Sequence, residues 1–326
     1  MDTSVSPIGT IRYFFLVLML LIVTTGCGRP TALTPEVLDV AIDKWPGYYP
    51  LIIAQELGYM RQEGLELRIT LSEDTRVTLA DYAAGKYDAI CVSLGDVILL
   101  KRSRAGTQVL LFSDESVGGD QIFSRERLEN AEAIKGRRVG VSLGGFGEVF
   151  VRRYLAGKGL GLADVQMVNV DASKVPLMLA QGRIDIGHTW QPYADSLRAE
   201  GYEPVFTSQD APGLILDCVV VDEALIRAKA KLLHGFINAW CKAVDWWGLH
   251  REEGSRMIEV KLGLPAGSCR LEGLKLLGRE ENASLLRTGP GSMEASVTEH
   301  VEHFVDTGMV VRRVKTRELI EEGFFQ

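Results

Sequence analysis

The sequence predicts an α/β protein of two lobes, each a mostly parallel sheet flanked by helices, with a ligand cleft between the lobes. A chain of 326 residues is too long for one ordinary core and suits two. Short apolar strands alternate with helical patterns along most of its length. Two halves of the chain also share residues at a constant spacing of 97 positions (144 − 47). The matched pairs are Gly47 and Gly144, Gly64 and Gly161, Gly85 and Gly182, and Asp88 and Asp185.

The first β-α-β unit lies between Asp39 and Leu71. A short apolar strand around Val40 is followed by the turn 44–49, which is rich in aromatic residues. Pro50 suits the first position of a helix, which we expect to end at Gly58. Residues 65–70 alternate as in a strand, so both strands are expected to lie parallel in one sheet.

The remaining elements divide the chain into two series. We expect further helices at 75–84, 94–104, 146–157, 175–182 and up to 200, with strands at 87–92, 107–112, 121–124, 138–141, 165–170, 184–187, near 205 and at 218–221. The polar stretches 113–119 and 211–217 are interpreted as crossings between lobes. Lobe one then comprises 37–117 and 218–326, and lobe two comprises 118–217. After residue 222 the chain is expected to be helical, including 267–277, and to pack outside lobe one.

The N-terminus has the features of an export signal. Arg12 precedes an apolar run, 13–23, that is short for a membrane span, and the run leads to Thr24-Thr25-Gly26-Cys27. This pattern resembles a bacterial lipoprotein signal over residues 1–27, with Cys27 lipidated and 28–36 as a tether. The alternative is a retained signal anchor. Both place the rest of the chain outside the cytoplasm.

Composition excludes several classes of function. A formal charge of −7 disfavours nucleic acid, because neutralising phosphates needs a basic surface. The cysteines other than Cys27 are far apart and lack zinc spacing, and no catalytic motif is present. Sequence cannot say whether they form a disulfide. His300 and His303 are interpreted as a solvated helix face, not a metal pair.

Candidate ligand-binding residues follow the predicted strands. Trp45 and Tyr48 lie past the end of the first strand, where open α/β sheets bind ligands, and Trp190 lies past a lobe-two strand. The alternative is that these rings only close the core.

Polar candidates accompany these rings. Ser93, and Ser142 with the glycine turn at Gly145, stand at helix starts, where free N–H groups could hold an anion. Glu148 would weaken such a site, and Phe150 disfavours a dinucleotide at the same turn. Ser93 could equally be an ordinary N-cap. Asp120 and Asp217 flank the two crossings, where they could meet a ligand or brace a hinge.

Several segments together resemble one family. D-x-W-P-G-Y-x-P-L-x-x-A-x-E-x-G-Y from Asp43, A-A-G-K-Y-D-A from Ala83, G-G-D-Q-I-F from Gly118, T-W-Q-P-Y from Thr189 and P-G-L-I-L-D from Pro212 are similar to solute-binding proteins of ABC importers. The group concerned is associated with sulfonates, taurine, nitrate and thiamine-pyrimidine precursors. Gln191 stands where that group often has glutamate, which puts an acid-dependent contact there in doubt.

The resemblance implies a type II periplasmic binding protein. It implies a monomer that binds a small-molecule solute, partners an ABC permease and its ATPase, contacts the membrane only through its lipid anchor, and has no cofactor, metal or catalytic activity. It also implies the cleft residues: Trp45, Tyr48, Ser93, Asp120, Ser142, Gly145, Trp190 and Asp217. Two alternatives stay open, namely a pyrimidine-precursor synthase-like enzyme on the same fold and a sensor module without an importer.

Overall fold

Strands and helices alternate through most of the chain in the computed structural model, which describes residues 1, 34–72, 74–128, 130–286 and 293–325. Cys27 and the expected signal and tether before Thr34 lie outside these ranges. The strands are β1 Glu36–Ile42, β2 Leu65–Leu71, β3 Ala89–Ser93, β4 Thr107–Ser116, β5 Asp120–Ser124, β6 Arg138–Val141, β7 Gln166–Asn169, β8 Ile186–Trp190, β9 Pro204–Thr207, β10 Leu216–Asp222 and β11 Leu274–Leu276.

The helices fall between and after these strands. They are α1 Pro50–Glu56, α2 Tyr59–Gln62, α3 Thr75–Ala83, α4 Leu94–Leu100, α5 Ala131–Ile134, α6 Phe146–Ala156, α7 Val175–Ala180, α8 Tyr193–Ala199, α9 Glu223–Leu249, α10 Arg251–Leu262, α11 Arg279–Leu285 and α12 Glu294–Asp306. Within the described ranges, none of them combines the length and the apolar character that crossing a bilayer requires.

Two sheets form the frame, and we call each sheet with its flanking helices a lobe. Lobe one has the strand order β11-β4-β10-β3-β1-β2, and lobe two has β7-β6-β8-β5-β9. In lobe one β1 lies parallel to both β2 and β3, as the first unit predicted, while β10 is antiparallel to β3 and β4. In lobe two β6 is parallel to β7 and β8, and β5 is antiparallel to β8 and β9. The predicted two-lobed α/β fold is confirmed, but both sheets are mixed, because parallel and antiparallel pairings occur in each.

The internal repeat has a structural counterpart at its aspartates. The Asp88 carboxylate accepts the N–H of Asp39 at 2.9 Å, and the Asp185 carboxylate accepts the N–H of Arg138 at 3.0 Å. Asp88 therefore ties the start of β3 to the middle of its parallel neighbour β1, and Asp185 ties the start of β8 to the first residue of its parallel neighbour β6. The two halves use the same contact at equivalent points.

The crossings are shorter than the sequence predicted. Residues 113–116 were expected in a crossing, but β4 continues through Ser116 because its partner β10 also extends, pairing Leu216 with Glu115. Asp217 accordingly lies inside β10 and not in a return crossing. The connection into lobe two is confined to 117–119, where the N–H groups of Val117 and Gly119 donate to the carbonyl of Gly273.

The C-terminal block differs from the expectation in two ways. A helix over 267–277 was wrong: residues Leu274–Leu276 form β11 on the edge of lobe one, paired with the end of β4. The block also reaches lobe two, because α12 packs against both α4 of lobe one and α6 of lobe two. The long helix α9 does cover lobe one as expected, with Trp240 and Trp247 fully buried on its inner face.

Candidate functional site

The loop after β1 brings two aromatic side chains against two carboxylates. The Trp45 indole N–H donates to Asp114 Oδ1 at 2.9 Å, and the Tyr48 hydroxyl donates to Asp217 Oδ1 at 2.6 Å. Gly47 between them has no room for a side chain, because a Cβ there would lie 1.9 Å from Asp114 Oδ2. The Trp-Pro-Gly-Tyr sequence thus folds the loop tightly onto the middle of the lobe-one sheet.

Lobe two contributes a second aromatic group and a buried pair. Phe146, the first residue of α6, and Trp190, the last residue of β8, lie with ring centroids 5.8 Å apart. His188 Nε2 is 3.0 Å from Asp120 Oδ1, and both side chains are buried. The edge of Phe146 also meets the His188 ring, with centroids at 5.8 Å. Aromatic and carboxylate groups therefore stand on this lobe as well.

Residues of both lobes enclose one cavity. Its lining consists of Asp43, Trp45, Tyr48, Thr75, Val92, Ser93, Asp96, Asp120, Phe146, Trp190 and Asp217. The cavity volume is about 20 Å³, which is room for little more than one water molecule. The walls must therefore separate to admit an organic ligand.

Several carboxyl groups in and next to the cavity have a raised pKa; Asp43 is partly buried, whereas Asp96, Asp114 and Asp217 are buried. Burial is the main cause in each case, because it disfavours the charged form. It raises the pKa of Asp43 and of Asp96 to about 6 and that of Asp114 to about 7. The pKa of Asp217 is raised well above its usual range, by burial and then by the nearby Asp114.

Six of the eight predicted ligand residues line this cavity. They are Trp45, Tyr48, Ser93, Asp120, Trp190 and Asp217. Ser142 and Gly145 are not part of the lining, although a Cβ built on Gly145 would lie 3.4 Å from Asp96 Oδ1. Trp45 and Trp190 share the cavity, which is what the proposal of two aromatic walls requires.

Five lining residues were not predicted from the sequence: Asp43, Thr75, Val92, Asp96 and Phe146. Asp43 directly precedes the aromatic loop, so its position at the end of β1 was a usable signal. Asp96 follows the N-cap Ser93 by three residues, and the Ser93 hydroxyl both accepts the Asp96 N–H and donates to its carboxylate. Such a pattern is normally interpreted as a helix cap, which hides its second role.

Two backbone donors of the glycine turn, near the predicted anion site, are used within the chain. Glu148 Oε2 accepts the N–H of Gly144 at 2.9 Å, and Asn169 Oδ1 accepts the N–H of Leu143 at 3.2 Å. These two donors are therefore not free for a ligand. Glu148 also places a carboxylate in the first turn of α6, where it weakens the binding of an anion.

The interpretation of His300 and His303 as a solvated face was wrong, since each is only 1% exposed. His303 Nε2 lies 3.3 Å from Glu148 Oε1 of lobe two, and His300 packs against Gly95 of lobe one. Burial lowers the pKa of His300 to about 4. No group of three or more metal-binding side chains occurs in the described part of the chain.

The four described cysteines are buried free thiols and form no disulfide with one another: Cys91, Cys218, Cys241 and Cys269.

Curated relatives match about half of the chain. A protein of Brucella abortus (strain 2308) named "Putative binding protein" is 26% identical over 147 residues, which is 45% of this chain and 45% of that protein. A Haemophilus influenzae protein named "Putative thiamine biosynthesis protein" is 26% identical over 179 residues, 54% of each chain. This chain thus matches about half the length of these relatives.

Solved structures share the fold over most of the chain. The aliphatic sulphonate binding protein SsuA from Escherichia coli superposes with a TM-score of 0.71 at 16% identity, over 88% of this chain and 92% of that one. The nitrate-binding protein NrtA from Synechocystis PCC 6803 gives 0.67 at 12% identity, over 89% and 87%. The desulfurization enzyme DSZB gives 0.65 at 19% identity, over 89% and 97%. The two-lobed binding-protein fold is therefore established.

The family is established by a longer match. A family model described as "NMT1/THI5 like" matches residues 45–253, which begins at the cavity residue Trp45 and includes the lining residues up to Asp217. This is well over half of the chain. The chain belongs to the NMT1/THI5-like family.

Proposed function

We propose that the protein is the extracytoplasmic substrate-binding component of an ABC importer. It captures a small organic solute in the cavity between its lobes and delivers the solute to a permease, whose partner ATPase drives transport. The solute classes suggested by the resemblance are sulfonates, nitrate, taurine-like and pyrimidine-like compounds. The names of the Brucella relative and of the sulphonate- and nitrate-binding neighbours support this proposal.

The observation that carries the proposal is the composition of the cavity wall. Trp45 and Tyr48 come from lobe one, whereas Phe146 and Trp190 come from lobe two. A ligand held between them contacts both lobes only when the lobes are closed, so it binds the closed form more tightly than the open form. Only such a difference in affinity shifts a conformational equilibrium.

Membrane attachment is a separate part of the proposal. Cys27, which lies outside the described residues, would be lipidated and would hold the protein at the periplasmic face of a membrane or at the cell surface. The wild-type chain expressed in a bacterial host is expected to incorporate radiolabelled palmitate, and the Cys27→Ser variant is expected not to. Absence of label from the wild type would contradict the lipid anchor and would favour the retained signal anchor.

The binding role is tested by thermal unfolding of the chain lacking residues 1–27, in the presence of sulfonates, nitrate, amines and pyrimidines. A true ligand raises the melting temperature because it binds the folded state. Trp190→Ala should remove the shift, while the control Trp246→Ala, which alters a tryptophan outside the cavity stacked on His250, should keep it. If no class of compound shifts the melting temperature, the receptor role is contradicted.

One alternative has specific support. The fold neighbour DSZB is an enzyme, and the Haemophilus relative is named for thiamine biosynthesis. A pyrimidine-precursor synthase-like enzyme on this fold would form a pyrimidine from other compounds, whereas a receptor only binds and releases its solute. Mass spectrometry of the small molecules of a cell extract before and after incubation with the protein separates the two, because only an enzyme generates a new pyrimidine. A transport-independent sensor would also return its ligand unchanged, but deleting the neighbouring permease would leave its response intact.

A further inference from the structure

Three side-chain hydrogen-bond donors of the inter-lobe cavity are already in use. The Trp45 indole N–H donates to Asp114, the Tyr48 hydroxyl to Asp217 and the Ser93 hydroxyl to Asp96, at 2.6–2.9 Å. Each of these donors therefore serves a carboxyl group of the protein. A ligand entering this space meets several carboxyl oxygens, so these side chains favour a ligand that donates hydrogen bonds.

One buried acceptor next to the cavity residue Trp190 has no partner. Gln191, one residue beyond Trp190, is 6% exposed, and its Oε1 has no hydrogen-bond partner among the described residues. The Asp96 carboxyl group, by contrast, accepts the hydroxyl and the backbone N–H of Ser93, and its Oδ1 faces Gly145 of lobe two. A buried acceptor without a donor is costly, so a donor beside Trp190 would be stabilising.

The ionisable side chains of the lining are acidic. Asp43, Asp96, Asp120 and Asp217 line the cavity, Asp114 lies directly behind Trp45, and no lysine or arginine is among the lining residues that the structure describes. The buried His188 is held by Asp120. Burial is the first cause of the raised pKa values of Asp43, Asp96, Asp114 and Asp217, and repulsion between carboxylates adds to it for all but Asp96. A nearby cation would favour the ionised form of each of these carboxyl groups.

An oxyanion fits this environment poorly. A unit negative charge about 4 Å from one ionised carboxylate costs roughly 4 kcal/mol at an effective dielectric constant of ~20. Arginine, lysine or free backbone N–H groups would have to offset that repulsion. The backbone donors of the nearby glycine turn at Leu143 and Gly144 already bind Asn169 and Glu148.

The aromatic residues suit the opposite charge. Phe146 and Trp190 lie side by side on lobe two, and Trp45 and Tyr48 face the cavity from lobe one. A cation near aromatic faces gains about 0.5–2 kcal/mol per favourable contact, and the same faces accept the apolar or planar part of a ligand. Carboxyl oxygens accept hydrogen bonds from N–H groups, which a quaternary ammonium does not have.

Within the receptor role proposed above, on which this inference rests, we propose that the solute is a small organic cation with N–H groups and an apolar or planar part, and not an oxyanion. Its charged nitrogen lies between Asp96 of lobe one and Asp120 of lobe two. Its apolar part lies against Phe146 and Trp190. The solute thus supplies a positive charge and hydrogen-bond donors to the carboxyl groups of the cavity.

The test compares six compounds, which combine a benzyl or a butyl group with a positive, a neutral or a negative head group. Benzylamine, benzyl alcohol and phenylmethanesulfonate are compared at millimolar concentration with butylamine, butan-1-ol and butanesulfonate, by thermal unfolding and then by titration calorimetry. We expect the amines to raise the melting temperature and the sulfonates to leave it unchanged. We also expect amine binding to release protons near pH 7, because a nearby cation lowers the pKa of the buried carboxyl groups.

The outcomes separate this inference from the receptor role. If sulfonates bind and amines do not, the cation inference is overturned while the receptor role stands. If none of the six compounds binds, both are contradicted. Asp96→Asn should weaken amine binding at least about tenfold, as for loss of one buried charged partner. The control Asp245→Asn, which removes the same charge from an exposed position, should keep the affinity. Equal affinity in wild type and Asp96→Asn would also refute the proposed placement.

Discussion

Replacing Asp96 by asparagine should make the unliganded protein more stable. The carboxyl group is buried beside the inter-lobe cavity, and its pKa is raised from 3.8 to about 6, mainly by burial. A shift of about 2 units corresponds to about 3 kcal/mol by which the ionised form is disfavoured in the folded state. Asparagine has nearly the same shape, keeps an oxygen for the Ser93 hydroxyl and carries no charge.

The gain has a defined pH dependence. Because the pKa of Asp96 is higher in the folded than in the unfolded chain, the folded state holds more protons between about pH 4 and pH 6, and the wild type loses stability as the pH rises through that range. The difference between Asp96→Asn and wild type should therefore be close to zero near pH 3, about 1.5 kcal/mol near pH 5 and about 3 kcal/mol near pH 8.

Urea unfolding followed by tryptophan fluorescence measures these differences at the three pH values. The exposed control Asp245→Asn should stay within about 0.5 kcal/mol of wild type at each pH. A variant that is less stable than wild type, by the same amount at every pH, would refute the reasoning. It would mean that Asp96 is ionised and well paired in the empty protein.

Two further predictions concern the packing around the cavity. Gly47→Ala should lower the melting temperature by several degrees and abolish ligand binding, because its Cβ would overlap the Asp114 carboxylate. The control Gly248→Ala, with open space around it in α9, should be neutral or slightly stabilising. Equal melting temperatures for the two variants would contradict the clash. His303→Ala should destabilise the protein by about 1–3 kcal/mol, because it removes a buried ring beside Glu148 and leaves that carboxylate only the N–H of Gly144. Unfolding at neutral pH that matches wild type would show that the contact carries no stability.

The frame of the protein could be predicted from its sequence because local patterns and the global arrangement agree. Strand alternation, glycines that end helices and the repeated aspartates Asp88 and Asp185 are all short-range signals. They place two β-α-β series, and the carboxyl ends of parallel strands then indicate where a ligand binds. Trp45 and Trp190 could be selected on that ground alone.

The missed features depend on contacts between distant parts of the chain. Residues 274–276 are too few for a strand pattern, and β11 forms only because the extended end of β4 offers an edge. His300 and His303 are polar residues on a helix, which normally indicates a solvated face. They are buried because α12 packs against both lobes, with Gly95 leaving space for one ring and Glu148 supplying a partner for the other.

The charge of the solute could not be predicted from the sequence either, for a related reason. A serine or glycine at a helix start indicates an available donor only if no nearby side chain uses it, and here Asp96 and Glu148 do. A helix-start motif alone cannot distinguish a donor that waits for a ligand from one that is satisfied internally. The same motif on this fold can therefore accompany solutes of either charge.

The positions of the carboxylates on the two lobes explain why a cationic solute favours the closed form. Asp96 belongs to lobe one and Asp120 to lobe two, so closing an empty cavity brings negative groups together and removes them from water. Closure without ligand is opposed by both effects. A cation between the two groups reverses the sign of the interaction, and it does so fully only when both carboxylates are near. Its affinity for the closed form then exceeds its affinity for the open form, which is the condition for a ligand-driven switch. An anion of the same size would increase the opposition to closure, so the charge of the solute and the closing of the lobes are decided by the same residues.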